Sequence, residues 1–322
     1  MVNVTIDNIT IKVREGTTIL EAARQIGGKI VPPAMCYYSK LKGTGGKCRT
    51  CLVKVAQSSA KDPRPMTKLV ASCSTPVQDG MIVQNITSRE VLDARKSIVE
   101  FLLINHPIDC PVCDQAGECD LQDLSFQHGI VETRSEEERR EFPVIDIGDK
   151  IKLHMNRCIL CYRCVFVADQ ITNKRVHGVL YRGDKSEIST YIQNVIDNDF
   201  SGNVIDVCPV GALTDRTFRF KSRVWFLNPV DANRKCSHCS GKVTAWMSGN
   251  NILRITGRKD QFGELEDFIC NECRFEKKDL QDWIIEGPRK IKRTSVISAN
   301  HYEKLIKPSI IHPIEGKTEE QK

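Results

Sequence analysis

No stretch of this 322-residue chain is apolar for the twenty or so residues a bilayer crossing needs, so no membrane insertion is expected. Its start, Met1-Val2-Asn3-Val4-Thr5-Ile6-Asp7, has neither a basic nor an apolar leader region, and no signal peptide is expected there. Aromatic residues make up only 6% of the chain. That is lean for this length, and it suggests that something besides side-chain packing holds several small cores together. Repeats and low-complexity tracts are absent. No Gly-x-Gly-x2-Gly loop follows a strand, so a nicotinamide or flavin site of that kind is not expected. Gly43-Thr44-Gly45-Gly46-Lys47 is not a phosphate loop, because a cysteine follows the lysine where serine or threonine is required.

Against these absences stand fifteen cysteines. With one histidine they sort into four groups of four: Cys36, Cys48, Cys51 and Cys73; His106, Cys110, Cys113 and Cys119; Cys158, Cys161, Cys164 and Cys208; Cys236, Cys239, Cys270 and Cys273. Four donors are what a tetrahedral ion or an iron–sulfur cluster takes. Cys-x2-Cys pairs in a chain with no export signal favour metal ligation in a reducing compartment over disulfides. The formal net charge of +6 counts every thiol as neutral. Charged clusters would bring it to roughly +1, so the basic balance does not argue for nucleic acid.

Apolar alternation over residues 2–6 and 9–13 around Asp7-Asn8 predicts a hairpin. Thr18 and Glu21 form a capping-box pattern opening a helix that stops at Gly27-Gly28. Strands are expected over 51–55, 69–72 and 81–86, giving a small α+β sheet. A second helix is expected over 88–105, with Val91, Leu92, Ile98, Leu102 and Leu103 on its apolar side and Pro107 ending it. Residues 132–141 are almost all charged or polar and read as a solvated linker or exposed helix face. Ser248-Gly249-Asn250-Asn251 sits between two strand-like runs, 242–247 and 252–256, as a hairpin turn. The last forty or so residues read as an extended tail.

The first quartet has the order of plant-type [2Fe–2S] ferredoxins, one cysteine, a close pair and a distant fourth, although its first gap is longer. The glycine-rich loop before Cys48 suits backbone N–H groups approaching sulfur; structural zinc is the rival. In the second quartet three cysteines within thirteen residues of His106 lack a fourth partner unless His106 supplies it. An imidazole in place of a thiolate raises a cluster's potential, whereas Asp109, Asp114, Glu118 and Asp120 nearby would lower it. Cys158-x2-Cys161-x2-Cys164 supplies three corners of a [4Fe–4S] cubane, and Cys208-Pro209 the fourth. In the fourth quartet two Cys-x2-Cys pairs thirty residues apart look like knuckles around one zinc ion, with [4Fe–4S] the alternative. His238, inside the first pair, is expected to be structural or exposed.

The first three groups, in this order, resemble the large iron–sulfur subunit of respiratory NADH:quinone oxidoreductase (complex I) over about residues 1–275. The most specific stretch runs His106-Pro107-Ile108-Asp109-Cys110-Pro111-Val112-Cys113-Asp114-Gln115-Ala116-Gly117-Glu118-Cys119. Asn156-Arg157-Cys158-Ile159-Leu160-Cys161-Tyr162-Arg163-Cys164 and Cys208-Pro209-Val210-Gly211-Ala212-Leu213 add to it.

The resemblance implies an α+β chain. Its parts would be a β-grasp [2Fe–2S] ferredoxin-like domain over 1–86, then a helix and a [4Fe–4S] segment with one histidine and three cysteine ligands over 87–131. A [4Fe–4S] ferredoxin-like domain over 132–222 would follow. A small β-rich metal domain with four cysteine ligands over 223–280 and an extended tail over 281–322 complete the expectation. The resemblance also implies an electron relay from a flavin- and NADH-binding subunit through the Cys36, Cys158 and His106 groups in turn, toward quinone-proximal iron–sulfur subunits. The place would be the peripheral arm on the cytoplasmic side of the inner membrane, or the matrix side in an organelle, within a hetero-oligomer. Some bacterial relatives carry an extra [4Fe–4S] where the fourth quartet lies; here Cys236, Cys239 and Cys270 match, the third position is Val243, and Cys273 is additional. The family usually continues into a molybdopterin-enzyme-like domain, and a short form without it is expected. Two other readings stay open: a relay subunit of a cytoplasmic NAD-linked hydrogenase or formate dehydrogenase, and a zinc-rich binding scaffold.

Overall fold

A computed structural model describes residues 1–129, 134–172, 177–190 and 198–289. Strands β1 (Val2–Ile6) and β2 (Ile9–Val13) pair as the expected hairpin. Asp7 and Asn8 both have positive φ, 44° and 70°, the backbone a two-residue type I′ turn requires. Helix α1 (Ile19–Ile26) opens with the full capping box, Glu21 N–H donating to Thr18 Oγ1 and Thr18 N–H to Glu21 Oε2. It lays Ile19, Ala22 and Ala23 on a core made by Val4, Ile6, Val53 and Val83. β3 (Leu52–Gln57), β4 (Val70–Ala71) and β5 (Met81–Gln84) complete a sheet of order β2-β1-β5-β3-β4. Its β1–β5 pair is parallel. A hairpin, a helix across it and a parallel pair form the β-grasp arrangement that was expected.

Helix α2 (Arg89–Asn105) is capped by Ser88 and ends where Pro107 requires. Its buried positions are Val91, Arg95, Val99 and Glu100, while Leu92, Ile98, Leu102 and Leu103 are only partly covered. The apolar stripe expected there is therefore shifted. Arg95 turns inward because it satisfies carbonyls that the irregular chain around Cys51 leaves open: its guanidinium donates to Thr50 O at 3.0 Å, Leu52 O at 3.3 Å and Asn85 Oδ1 at 2.6 Å. Helix α3 (Asp120–His128) packs against α2. Of the polar run 132–141, residues 132 and 133 lie outside the described residues, and 134–141 carry no helix.

A three-stranded sheet follows, of order β10-β7-β6 (β6 Val144–Asp146, β7 Ile151–His154, β10 Leu213–Asp215). Around it lie helices α4 (Arg163–Gln170) and α5 (Asn203–Val207) and a hairpin of β8 (His177–Leu180) with β9 (Glu187–Thr190). Last comes a four-stranded antiparallel sheet of order β13-β12-β11-β14: β11 Asn228–Asn233, β12 Lys242–Ser248, β13 Asn251–Gly257 and β14 Ile284–Pro288. The β12–β13 turn is the expected one. Gly249 has φ 58° and Ser248 faces Asn251, as in a type II′ hairpin with glycine first.

β14 corrects the expected tail. Residues 284–288 pair with β11 because the short run Trp283-Ile284-Ile285 supplies strand-forming side chains and β11 would otherwise be an open edge. The basic run from Lys290 onward lies outside the described residues.

Candidate metal and cluster centres

Cys36, Cys48, Cys51 and Cys73 come together, all buried, between α1 and the ends of β3 and β4. The glycine loop does what its composition suggests. Gly46 N–H donates to Cys73 Sγ at 3.1 Å, and the Lys47 and Cys48 N–H groups both donate to Cys36 Sγ at 3.3 Å. Gly45, at φ 103°, passes so close that an added Cβ would lie 3.2 Å from Cys73 Sγ. Cys51 and Cys73 Sγ are 3.4 Å apart. Hydrogen bonds from Cys48 and then Cys73 hold the Cys36 thiol far below the ordinary range, while the same bonds push Cys48 and Cys73 up.

Gly45→Ala should put a side chain into backbone that only glycine adopts easily, at a cost of about 1–3 kcal/mol. The expected result is loss of the two-iron signal in electron paramagnetic resonance, with most of the remaining iron retained.

His106 caps the C-terminus of α2; Cys110 opens a single turn, Cys110–Val112; Cys119 is the N-cap of α3, its sulfur accepting the Gln122 N–H at 3.4 Å. Burial pushes His106 down to about 4, which leaves a neutral imidazole with a lone pair, and its Nδ1 is buried without a hydrogen-bond partner. Those are the properties of a metal-binding imidazole. Burial pushes Cys119 up to about 12, against the helix N–H that favours its thiolate.

The acidic surroundings are largely neutralised. Asp109 pairs with Arg157 (Nε at 3.1 Å from both oxygens), Asp114 with Arg219 at 3.7 Å and Glu118 with Arg254 at 2.6 Å. The downward pull on the potential that the sequence raised is thus met by three arginines from distant parts of the chain. Arg223 also donates to Cys113 O at 2.7 Å, clamping the loop from outside.

Cys158, Cys161, Cys164 and Cys208 line one cavity, finished by apolar side chains such as Ile159, Leu153 and Leu213. Leu160 and Tyr162 take positive φ, 51° and 65°. That strain in two non-glycine residues turns successive thiols to the same side. Burial pushes Cys161 up to about 12 and raises the other three as well. Four thiols in a dry pocket become thiolates only with a strongly cationic occupant, which is the donor set of a cubane.

Arg163, buried beside Cys164, donates to Tyr37 O at 2.7 Å, Ala34 O at 3.1 Å and Val207 O at 3.4 Å. It ties the Cys36 loop to the residue before Cys208. Gln170 exchanges two hydrogen bonds with the Lys42 backbone across the same seam.

Cys236, Cys239, Cys270 and Cys273 bring all four sulfurs within 4.8 Å of one another. His238 is exposed, as expected.

Sequence reasoning brought out the cysteines but missed Arg157, Arg163, Arg274 and Gly211, which shape the space around them. A signal was available: each of the three arginines is the immediate neighbour of a cysteine in these groups.

Three family descriptions match the chain: a 2Fe-2S iron-sulfur cluster binding domain over residues 1–88, the NADH-ubiquinone oxidoreductase-G iron-sulfur binding region over 95–134, and the ferredoxin-like domain of NADH-quinone oxidoreductase subunit 3 over 148–214. The 75 kDa subunit of NADH-ubiquinone oxidoreductase from Reclinomonas americana is 42% identical over 85% of this chain and 38% of its own length. The mitochondrial iron-sulfur protein 1 of NADH dehydrogenase [ubiquinone] from Solanum tuberosum is 37% identical over 89% of this chain and 38% of its own. A crystal structure of an NAD+-reducing [NiFe]-hydrogenase in the H2-reduced state aligns with TM-score 0.59 at 26% identity, covering 69% of this chain and 91% of that one. The chain spans less than half the length of the curated relatives named here. With three successive iron–sulfur descriptions matched in order and relatives this similar along most of its length, the chain belongs to the family of the large (75 kDa) iron–sulfur subunit of NADH-quinone oxidoreductase.

Proposed function

We propose that this chain is the electron-relay piece of the peripheral arm of an NADH:quinone oxidoreductase. It would hold one [2Fe–2S] cluster on Cys36, Cys48, Cys51 and Cys73, and one [4Fe–4S] cluster each on the His106 and Cys158 groups. The observation that carries this is continuity. The three groups do not sit in separate modules on loose tethers. Arg163 bonds the Cys36 loop to the Cys208 turn, and Arg157 bonds the start of the Cys158 run to Asp109 in the His106 loop. Cys36, Cys119 and Cys164 belong to one buried core.

Bound iron–sulfur clusters take up and release single electrons, and the redox chemistry is theirs. The chain's contribution is rigid spacing, exclusion of water and electrostatic tuning. Backbone N–H groups of Gly46, Lys47 and Cys48 favour the more negative, reduced state at the first site. His106 in place of a thiolate, with arginines on Asp109, Asp114 and Glu118, moves the second site the same way.

The partners in this reading are a flavin-bearing NADH subunit on one side and quinone-proximal iron–sulfur subunits on the other. No described helix is long and apolar enough to cross a membrane, which fits a peripheral position.

Protein purified without oxygen should contain about ten irons per chain, show two distinct classes of reduced cluster signal, and oxidise no NADH unless a flavin subunit is added. Tagged chain should bring down membrane-arm proteins. Colourless protein, NADH turnover by the pure chain, or association with soluble hydrogenase subunits alone would refute the reading.

A further inference from the structure

The four quartets differ in how closely their sulfurs approach. In the first, Cys51 and Cys73 Sγ are 3.4 Å apart, yet the set does not close to single-ion distances, and the third lines a small apolar cavity without closing on a point. The fourth is the one group among the described residues whose donors close on a point: Cys236–Cys270 is 3.7 Å, Cys239–Cys270 3.6 Å and Cys239–Cys273 3.8 Å. Four sulfurs at about 2.3 Å from one tetrahedral zinc ion stand about 3.8 Å apart. In a cubane each thiolate binds a different iron at a different corner, so the sulfurs must lie farther apart than this.

The local backbone is built to the same end. Strand β11 runs into the turn that carries Cys236 and Cys239. His238 N–H donates to Cys236 Sγ and Gly241 N–H to Cys239 Sγ, both at 3.4 Å. Arg234 N–H closes the turn on Gly241 O, and an added Cβ at Gly241 would meet Arg234 O at 2.0 Å. Arg234 also reaches Cys273 Sγ at 3.6 Å, placing a cation beside a four-thiolate centre of net charge about −2.

The second pair of cysteines has another attachment. Residues 269–274 are stitched to residues 198–206, the segment that leads into Cys208. Asn203 and Ile269 exchange hydrogen bonds at 2.8 and 3.0 Å. Asn271 receives the Gly202 N–H at 2.9 Å and donates to Asn198 O at 2.7 Å. Arg274, next to Cys273, meets Asp206 at 2.6 Å with both side chains buried.

We propose that Cys236, Cys239, Cys270 and Cys273 hold one structural zinc ion, and that this ion braces α5 and, through it, Cys208 of the neighbouring cubane. The centre takes no part in electron transfer; it fixes the scaffold of one that does. The inference rests on the relay reading only for its second half.

Metal analysis of anaerobically purified chain should find one zinc with about ten irons, whereas about fourteen irons and no zinc would overturn the proposal. Growth with cobalt should give the intense charge-transfer and visible bands of a tetrahedral thiolate site, and an iron-type spectrum from that site would overturn it. Cys236→Ser should lose the zinc and make the Cys158-group signal bleach several-fold faster with an iron chelator, leaving the two-iron signal unchanged. If that variant fails to fold, zinc can be drawn from intact wild-type protein by titration with an organomercurial until one zinc is released; an unchanged cubane signal would overturn the bracing role. One zinc with no iron at all would support the zinc site and sink the relay reading, so the two failures are distinguishable.

Discussion

Arg274→Met is expected to lower the stability of the chain by about 3–5 kcal/mol, because it strips the partner from a carboxylate that has no access to water. Arg274 and Asp206 are 1% and 3% exposed in their side chains and lie 2.6 Å apart. Asp206 also accepts the Gly257 N–H at 2.9 Å, so the pair joins α5, β13 and the turn after Cys273. The methionine keeps the volume but leaves Asp206 charged without the Arg274 guanidinium, and desolvation of that charge is the larger part of the loss. Asp206→Asn in the same background should recover part of it, which a denaturant midpoint series would read.

The same pair gives a pH dependence. Burial, the largest single influence, would raise the Asp206 carboxyl, but the charge and hydrogen bond of Arg274, helped by Lys259 and the Gly257 N–H, together make the net direction downward. A carboxyl with a depressed folded pKa contributes stability that is fully present above its unfolded value, about 3.9, and is lost as pH falls through the folded value. Wild-type protein should therefore lose stability steeply in acid, and Arg274→Met should flatten that slope. An unchanged slope would remove Asp206 from the account.

The α+β class and most elements of the first sheet were legible in the chain because short-range rules dictate them. Asp7-Asn8 admits the positive φ of a two-residue turn, and Thr18-x2-Glu21 caps a helix whatever surrounds it. The grouping of the cysteines was legible for a similar reason: local spacing announces most of each set, and the members of the first, third and fourth groups do converge. What the sequence concealed is long-range. Nothing local to Arg95 says that it turns inward to serve a carbonyl 45 residues earlier. Nothing near Glu118 says that Arg254 will meet it. β14 was hidden too, because a five-residue strand whose isoleucines face partly outward has no amphipathic signature, and its place is set by the open edge of β11.

Arginine explains much of this concealment. It supplies five fixed donors, so it can satisfy several carbonyls of irregular loops at once. Loops that wrap metal centres have many such carbonyls, since their backbone is bent around sulfur and not paired in ladders. Arg163 bonds three of them from two distant segments. On charge patterning alone these residues look like ordinary surface cations, and for Arg157, Arg163 and Arg274 only their adjacency to the candidate cysteines sets them apart.

Gly211→Ala is the second substitution expected to have a large effect, and its consequence should be confined to one centre. An added Cβ would lie 2.2 Å from Cys113 Sγ, 3.3 Å from Gln115 Cβ and 3.4 Å from Arg157 Cδ. The backbone there has no room to retreat. Pro209 O accepts the Asp120 N–H at 2.9 Å, Ala212 O accepts the His154 N–H at 2.7 Å, and Leu213 begins β10 against Leu153. The side that yields is therefore the Cys113 sulfur, which must rotate out of its present position. Overpacking by one methyl costs about 1–3 kcal/mol, too little to unfold the chain but enough to displace a ligand. The variant should retain its melting temperature to within a few degrees and its two-iron signal, yet contain about four fewer irons per chain. Full iron content would mean that Cys113 can shift without losing its metal. Loss of all iron would mean that Gly211 supports the shared core, with no special relation to the His106 group.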